Sequence, residues 1–186
     1  QIKKVCDIIL SDSDRRLVVV SAPGKRSKED TKVTDLLIAL GQKYLKEGKA
    51  DDELIAVIDR YDEIVKGLGL SSDVSDTVAN DLKSRLNGDV SNEERFMDAI
   101  KAAGEDNNAK VIAAYLVSKG IDAAYVNPQD AGLLLSDEYG NARVLPESYD
   151  NLKALKDRKE LWIFPGFFGY SKSGSVVTFP RGGSDI

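Results

Sequence analysis

The segment FPGFFGYSKSGSVVTFPRGGSD, residues Phe164–Asp185, carries the clearest signals for the fold. Its first residue closes a hydrophobic run, Leu161–Phe164, that is typical of a buried strand. Pro165–Gly166 is expected to end that strand and turn the chain. Val176–Phe179 then predicts a second short strand. The segment therefore predicts two strands that are close in sequence, with a loop between them.

The same segment ends in Arg181–Asp185, where two adjacent glycines stand between an arginine and an aspartate. Without a Cβ atom, glycine lets backbone N–H groups approach an anion closely. A loop of this kind suits a charged oxyanion such as a phosphate or a carboxylate. The same letters are also common in ordinary turns, so the rest of the chain has to decide between a site and a turn.

Composition limits the classes of function. The 186 residues fit one domain, and 42% hydrophobic with 31% charged residues is an ordinary globular composition. The net charge of −5 disfavours nucleic acid and anionic membrane as partners. No apolar run approaches the roughly 18 residues that a membrane-spanning helix needs. The sequence therefore predicts a globular domain whose partners are neither nucleic acid nor a membrane.

The chain has one cysteine and no histidine. A single cysteine excludes an internal disulfide and fits a reducing cytoplasm, and Cys6 is expected to pack in the core rather than to react. The absence of histidine excludes a histidine triad, a histidine base and histidine metal sites. We identify no metal ligands, and a metal would have to be Mg²⁺ held with a phosphate by oxygen atoms.

Leu17–Val20 is continuously apolar and rich in β-branched residues, which is typical of a central strand covered on both faces. It ends at Ser21–Gly24, and ligands of open α/β sheets gather at such strand ends. A third strand is expected at Ala123–Val126. Apolar residues at helical spacing predict helices at 1–10, 33–44, 52–68, 78–86, 91–103, 109–117 and 149–155. Strands alternating with helices predict an α/β fold, a three-layer α/β/α sandwich with a mainly parallel sheet.

Three local features lead to further expectations. Gly104–Asp106 is expected to interrupt a helix, and Gly169 and Gly174 to mark a loop. The polar segment Lys25–Thr31 is expected to be a solvated, mobile loop that closes as a lid. Trp162 and the Phe167–Phe168 pair are expected in the core.

Four features lie at predicted strand ends or helix starts and breaks: Ser21–Gly24, Thr34, Gly104–Glu105 and Arg181–Asp185. Together they offer hydroxyls, carboxylates and a guanidinium. Such a set suits a zwitterionic amino acid, with arginine for the carboxylate and glutamate for the ammonium group. Ser21 and Thr34 also have simpler interpretations, as the end of a strand and as a helix N-cap.

These features belong to longer blocks of sequence. The blocks are Val20–Gly24 (VSAPG) with Thr34–Asp35, then Gly104–Glu105 with Ala113–Leu116 (AAYL), and finally Pro165–Gly169 (PGFFG) with Gly174, Thr178 and Arg181–Asp185 (RGGSD). In these blocks, and in their order over nearly the whole chain, the sequence resembles the amino-acid kinase domain of the aspartokinases. The last block is the most specific.

The resemblance implies a role for each matched residue. Arg181 would clamp the α-carboxylate of L-aspartate and Glu105 would hold its α-ammonium group. Ser21 and Thr34 would line the same pocket, together with Gly182, Gly183 and Ser184. Asp185 would be the catalytic residue, orienting the nucleophile and a lysine that stabilises the phosphate. The nucleophile would be the β-carboxylate of the substrate, already ionised at neutral pH, so no enzyme base is required.

The sequence also departs from the family pattern. The family's first strand, Lys-Phe-Gly-Gly-Ser, which supplies the phosphate-stabilising lysine, is not in this sequence. Neither is the nucleotide-binding segment after Ser-Asp, nor the regulatory ACT domains. Residues 1–186 are therefore expected to be a partial catalytic domain of a longer protein. Asp106–Asn108 replaces the family's usual Arg-Leu-Ser. The negative charge that Asp106 adds beside Glu105 implies either a tighter ammonium site or a locally remodelled helix.

The resemblance implies a cytoplasmic aspartate kinase that transfers the γ-phosphoryl group of MgATP to L-aspartate, giving 4-phospho-L-aspartate. This is the first step towards lysine, threonine and methionine, in an allosteric enzyme expected to be a homo-oligomer. ATP and Mg²⁺ are the implied cofactors, and the isolated fragment is expected to be inactive. Two alternatives remain: a glutamate or acetylglutamate kinase, and a non-catalytic module that binds an amino acid.

Overall fold

The computed structural model describes residues 1–180 and 182–183. In chain order its elements are α1 (Ile2–Leu10), β1 (Leu17–Val20), α2 (Val33–Glu47), α3 (Asp51–Leu68), α4 (Ser72–Leu86), α5 (Glu93–Ser118), β2 (Ala123–Tyr125), β3 (Leu134–Leu135), α6 (Glu147–Leu152) with a 3₁₀ turn (Lys153–Asp157), β4 (Leu161–Pro165), β5 (Phe168–Ser171) and β6 (Val176–Thr178). The predicted α/β architecture with a mainly parallel sheet is confirmed.

The central sheet has the strand order β1-β4-β2, with all pairs parallel. Val18 lies beside Ile163, and Ala124 beside Trp162. After β1 the chain passes through the four helices α2 to α5 before it returns to the sheet as β2. Because parallel strands need long crossover connections, a helical excursion of this kind is the normal way to join them.

One face of the central sheet packs against the long helices. The buried side chains of this core include Val20, Val33, Leu37, Ile112 and Ile163. A second core lies on the other face, where Trp162 and Phe164 pack with side chains of the second sheet, β3-β5-β6, and of the segment that contains α6. Trp162, Phe168 and Cys6 are buried, as the sequence predicts, whereas Phe167 is only half-buried. The sheet therefore lies between two layers.

Three expectations about the elements are wrong. Gly104–Asp106 does not interrupt a helix, since α5 runs without a break from Glu93 to Ser118. Gly169 does not mark a loop but lies within strand β5. A Cβ atom there would come within 2.9 Å of the Leu135 side chain, so only glycine allows this close approach. Strand β1 is not covered on both faces, because Leu17 and Val19 are 53% and 64% exposed.

The segment Lys25–Thr31 is attached to α3 rather than free. The buried Arg60 donates to the Gly24 carbonyl at 2.7 Å and pairs with Asp30 at 2.6 Å. Arg26 also contacts Asp30, through both its backbone N–H and its guanidinium, and it pairs with Glu63. The guanidiniums of Arg26 and Arg60 hold the pKa of the Asp30 carboxyl below its usual range. The basic side chains of the segment are nevertheless exposed, as expected of a solvated loop.

Candidate active site

The carboxyl ends of β1, β4 and β6 meet at one edge of the molecule. The Gly166 N–H, just after β4, donates to the Val20 carbonyl at 2.9 Å. The Phe179 N–H, just after β6, donates to the Phe167 carbonyl at 2.9 Å. Phe167 adopts a left-handed backbone conformation with φ of 72°, which is uncommon for a residue other than glycine and is often found near functional sites.

Helix α5 crosses this edge at Gly104. A Cβ atom at position 104 would lie 2.8 Å from the Ala22 Cβ and 3.2 Å from Leu37. Glycine therefore lets the segment after β1 and the first turns of α2 pack directly on the helix backbone. The Gly104 carbonyl accepts a hydrogen bond from the buried Tyr61 hydroxyl at 2.7 Å. The packing at Gly104 and the Tyr61 hydrogen bond together fix α5 relative to the end of β1, to α2 and to α3.

The next residue, Glu105, is buried at this contact. The residue is only 7% exposed. Burial raises the pKa of the Glu105 carboxyl to about 7, although the Ala22 N–H acts in the opposite direction. Its Oε2 atom has no hydrogen-bond partner among the described residues. An unpaired buried acceptor is costly, which favours a ligand that donates hydrogen bonds to it.

Asn108 lies one turn further along the same face of α5. Its Nδ2 donates to the Ser21 carbonyl at 2.7 Å, which fixes the orientation of the amide because a carbonyl can only accept. Its Oδ1 is buried and has no hydrogen-bond partner in residues 1–180 and 182–183. The sequence analysis missed Asn108 as a site residue. The spacing of three residues from Glu105, which places both side chains on one helix face, was the available signal.

Ser21 and Thr34 lie where the sequence predicts, at the end of β1 and in the first turn of α2. Ser21 is exposed and its carbonyl is held by Asn108. Thr34 is not an N-cap, because Lys32 occupies that position. The neighbour of Thr34, Val33, contacts the α5 surface at Gly104 and donates its N–H to the Pro23 carbonyl at 3.2 Å. The end of β1, the first turn of α2 and helix α5 contact one another, and these three segments carry Ser21, Thr34 and Glu105.

The glycine-rich motif is described only in part. Gly182 has a left-handed φ of 76°, and the Gly183 N–H donates to the Pro180 carbonyl at 2.8 Å, closing a turn. That N–H is therefore used within the turn. Arg181, Ser184 and Asp185, which the sequence analysis assigns to substrate and catalysis, lie outside the described residues.

The chain is similar to known proteins over its whole length. The sequence profile of the Amino acid kinase family matches residues 1–186. The chain belongs to the amino acid kinase family. It is 56% identical over 186 residues to aspartokinase 3 of Bacillus subtilis, covering 100% of this chain and 41% of that protein.

Solved structures of this family have the same fold. The chain superimposes on Clostridium acetobutylicum aspartate kinase with a TM-score of 0.80 at 31% identity, covering 100% of this chain and 39% of that one. It also superimposes on E. coli aspartokinase III, determined with aspartate and ADP, with a TM-score of 0.75 at 23% identity, covering 99% of this chain and 41% of that one. The second similarity shows the fold alone. The chain spans less than half the length of these relatives.

Asp106, the departure from the family pattern noted above, faces a different part of the molecule from Glu105. It pairs with Arg85 at 2.6 Å and Lys110 at 2.8 Å, and it accepts a hydrogen bond from the Tyr125 hydroxyl. Asp81 joins the same network through Arg85 at 2.8 Å. The negative charge of Asp106 is therefore compensated by cations between α4, α5 and β2, and the helix is not remodelled.

In the described residues no group of three or more cysteine or acidic side chains is placed to hold a metal ion. None of the helices within these residues is both long and apolar enough to cross a membrane.

Proposed function

We propose that the chain is the amino-acid-binding part of an aspartate kinase, which transfers the γ-phosphoryl group of MgATP to the β-carboxylate of L-aspartate. The observation that carries this proposal is the buried carboxylate of Glu105 beside the end of β1, whose Oε2 has no hydrogen-bond partner within residues 1–180 and 182–183. A buried carboxylate of this kind favours a ligand with a compact positive charge, as the ammonium group of a free amino acid has. The relatives' shared name, aspartokinase, supports aspartate as that amino acid.

The resemblance supplies the remaining roles. Glu105 receives the α-ammonium group, Arg181 grips the α-carboxylate, and Ser21 and Thr34 line the pocket with Gly182, Gly183 and Ser184. Asp185 orients the reacting groups. Because the substrate's β-carboxylate is itself the nucleophile, these residues act by holding it in line and by compensating charge.

Residues 1–186 are proposed to be part of a larger catalytic domain, with further domains elsewhere in the protein. ATP is the proposed second substrate, and Mg²⁺ is proposed to enter with its phosphates, held mainly by groups beyond the described residues. Cytoplasmic location and homo-oligomeric assembly are proposed for the full-length protein.

The test is aspartate-dependent release of ADP by the full-length protein. Aspartate, glutamate and N-acetylglutamate are supplied in turn with MgATP. We expect turnover with aspartate, and none with N-acetylglutamate, because acetylation removes the positive charge that Glu105 pairs with. Turnover with glutamate alone would favour the related kinase. Calorimetric binding of aspartate without any response to MgATP would favour a non-catalytic module.

A further inference from the structure

Asn108 provides a second buried acceptor on the same helix as Glu105. The residue is 6% exposed, and its Oδ1 has no hydrogen-bond partner within the described residues. Its Nδ2 is already used, because it donates to the Ser21 carbonyl at 2.7 Å. Turning the amide over would place two acceptor oxygens against each other. The Asn108 Oδ1 is therefore fixed as an acceptor without a donor.

The spacing on α5 brings this acceptor close to the unpaired oxygen of Glu105. The two residues are three positions apart on one helix face, so their Cβ atoms are about 5–6 Å apart. Two acceptors that each lie about 2.8 Å from one nitrogen atom are at most about 5.6 Å apart. The two side chains are therefore near enough to bind one donor group together. An ammonium group, with three N–H donors, suits such a pair better than a hydroxyl with one donor.

Both residues lie against the segment that follows β1. The Asn108 amide is bonded to the Ser21 carbonyl, and the Ala22 N–H partly offsets the raised pKa of Glu105. A cavity of about 500 Å³ borders Asn108 and Gly24, which gives a small ligand space beside the amide. Because the two unpaired oxygens are buried, their hydrogen-bonding capacity is available to a group that enters the site and not to bulk water.

The adjacent residue shows that the surroundings of the amide matter. Asn107 is also buried, and its Oδ1 is also unpaired in the described part of the chain. Its Nδ2, however, donates to Asp81 at 2.8 Å, in the charged network between α4 and α5. Asn107 thus lies on the α4 side of the helix, whereas Asn108 lies on the β1 side. An unpaired amide oxygen alone is no reason to expect a ligand, and it is the position beside Glu105 that singles out Asn108.

We propose that Asn108 is a substrate-binding residue, whose Oδ1 accepts a second hydrogen bond from the α-ammonium group that Glu105 binds. This inference rests on the proposed function. Glu105 supplies the negative charge, and Asn108 supplies direction, because the Ser21 carbonyl holds its amide in one orientation. Together the two residues distinguish an amino acid from a dicarboxylate that lacks the amine.

The test compares aspartate with succinate, which is aspartate without its amine, in the full-length enzyme. Calorimetry gives the dissociation constant of aspartate, and competition with aspartate gives the inhibition constant of succinate. Asn108→Leu keeps the approximate volume of the side chain but removes the amide oxygen. We expect it to weaken aspartate binding by about tenfold more than succinate binding, because a hydrogen bond to a charged group is lost. Asn108→Asp, which keeps an acceptor oxygen, should recover most of the preference for aspartate.

Asn107→Leu is the matched control, because it removes a similarly buried amide one residue away on the other side of α5. It should change aspartate and succinate binding by the same factor. Equal losses for the two ligands in Asn108→Leu would mean that Asn108 acts only through the Ser21 carbonyl, and would overturn the inference. If leucine prevents folding, as thermal unfolding would show, Asn108→Ala provides the same comparison. Wild-type enzyme that neither binds nor phosphorylates aspartate would instead defeat the proposed function.

Discussion

Glu105 is buried as a carboxyl group at a cost that its neighbours among the described residues do not offset. Its Oε2 has no partner in the described residues, and its pKa is raised by burial. A structural residue at this position would be better as glutamine or as an apolar side chain, because burying an uncompensated charge is destabilising. An ammonium group of a substrate offsets that cost, which is why we assign Glu105 to binding.

Glu105→Gln should weaken substrate binding without damaging the fold. The amide keeps the shape of the side chain but loses the charge, so a hydrogen bond to a charged group worth about 2 kcal/mol is weakened. We expect the KM for aspartate to rise by about 30-fold and the melting temperature to stay the same or increase. Steady-state kinetics and thermal unfolding of the full-length enzyme measure both. Glu94→Gln, at an exposed position in the first turn of the same helix, is the control.

The pH dependence of binding follows from the pKa of Glu105, which burial raises to about 7. In the proposed complex the ammonium group of aspartate pairs with the ionised carboxylate, so below that pH a proton must leave before aspartate binds. The KM for aspartate should be constant above about pH 7 and rise as the pH falls, approaching tenfold per pH unit. Kinetics from about pH 5.5 to about pH 8 measure this. The same slope in Glu105→Gln would show that another group is responsible.

At the scale of single residues, the sequence predicts Glu105 but not the whole site. Glu105 was found because it lies in a motif that resembles a family, since its burial cannot be read from composition. Asn108 was missed because its role depends on a contact with the Ser21 carbonyl, 87 residues earlier in the chain.

At the scale of elements, the close contact between α5 and the end of β1 depends on Gly104. Gly104→Ala would place a Cβ atom 2.8 Å from the Ala22 Cβ, which belongs to a short side chain that cannot rotate away. We expect a loss of stability of about 1–3 kcal/mol, despite the better helix propensity of alanine. The KM for aspartate should also rise, because Glu105 and Ser21 move apart. Thermal unfolding and kinetics measure the two effects.

Gly67→Ala is the matched control. Gly67 lies near the end of α3, and nothing lies within 4 Å of a Cβ atom built there. Alanine should therefore stabilise the protein by up to about 1 kcal/mol through helix propensity alone. Equal effects of the two substitutions would contradict the role that we give to packing at Gly104.

Helices with a clear apolar period were predictable, and the errors occurred where glycine has a packing role. Gly104 and Gly169 were interpreted as breaks, yet one lies inside α5 and the other inside β5. In both places glycine permits a close approach to another element, to Ala22 and Leu135 respectively. A single sequence does not distinguish a glycine that ends an element from a glycine that permits close packing, because both positions simply lack a side chain.

At the scale of the whole molecule, the two faces of the central sheet differ. The face towards α2 and α5 is buried, whereas Leu17 and Val19 are exposed on the other face. There they line a groove of about 570 Å³ with apolar residues of β4 and the α6 region. The sequence predicted burial on both faces because continuous apolar runs are typical of fully covered strands. The apolar run correctly indicates a parallel strand, but it does not show which part of the protein covers each face of that strand.

Residues 1–186 expressed alone should not transfer phosphoryl groups. The reaction requires positive charge around the transferred γ-phosphoryl group. The resemblance assigns that charge to a lysine in a strand, Lys-Phe-Gly-Gly-Ser, that this sequence does not contain. We expect ADP release at background level from the isolated chain with MgATP and aspartate, while the full-length enzyme turns over under the same conditions. Turnover by the isolated chain above that of its Glu105→Gln variant would show that residues 1–186 supply the required charge themselves.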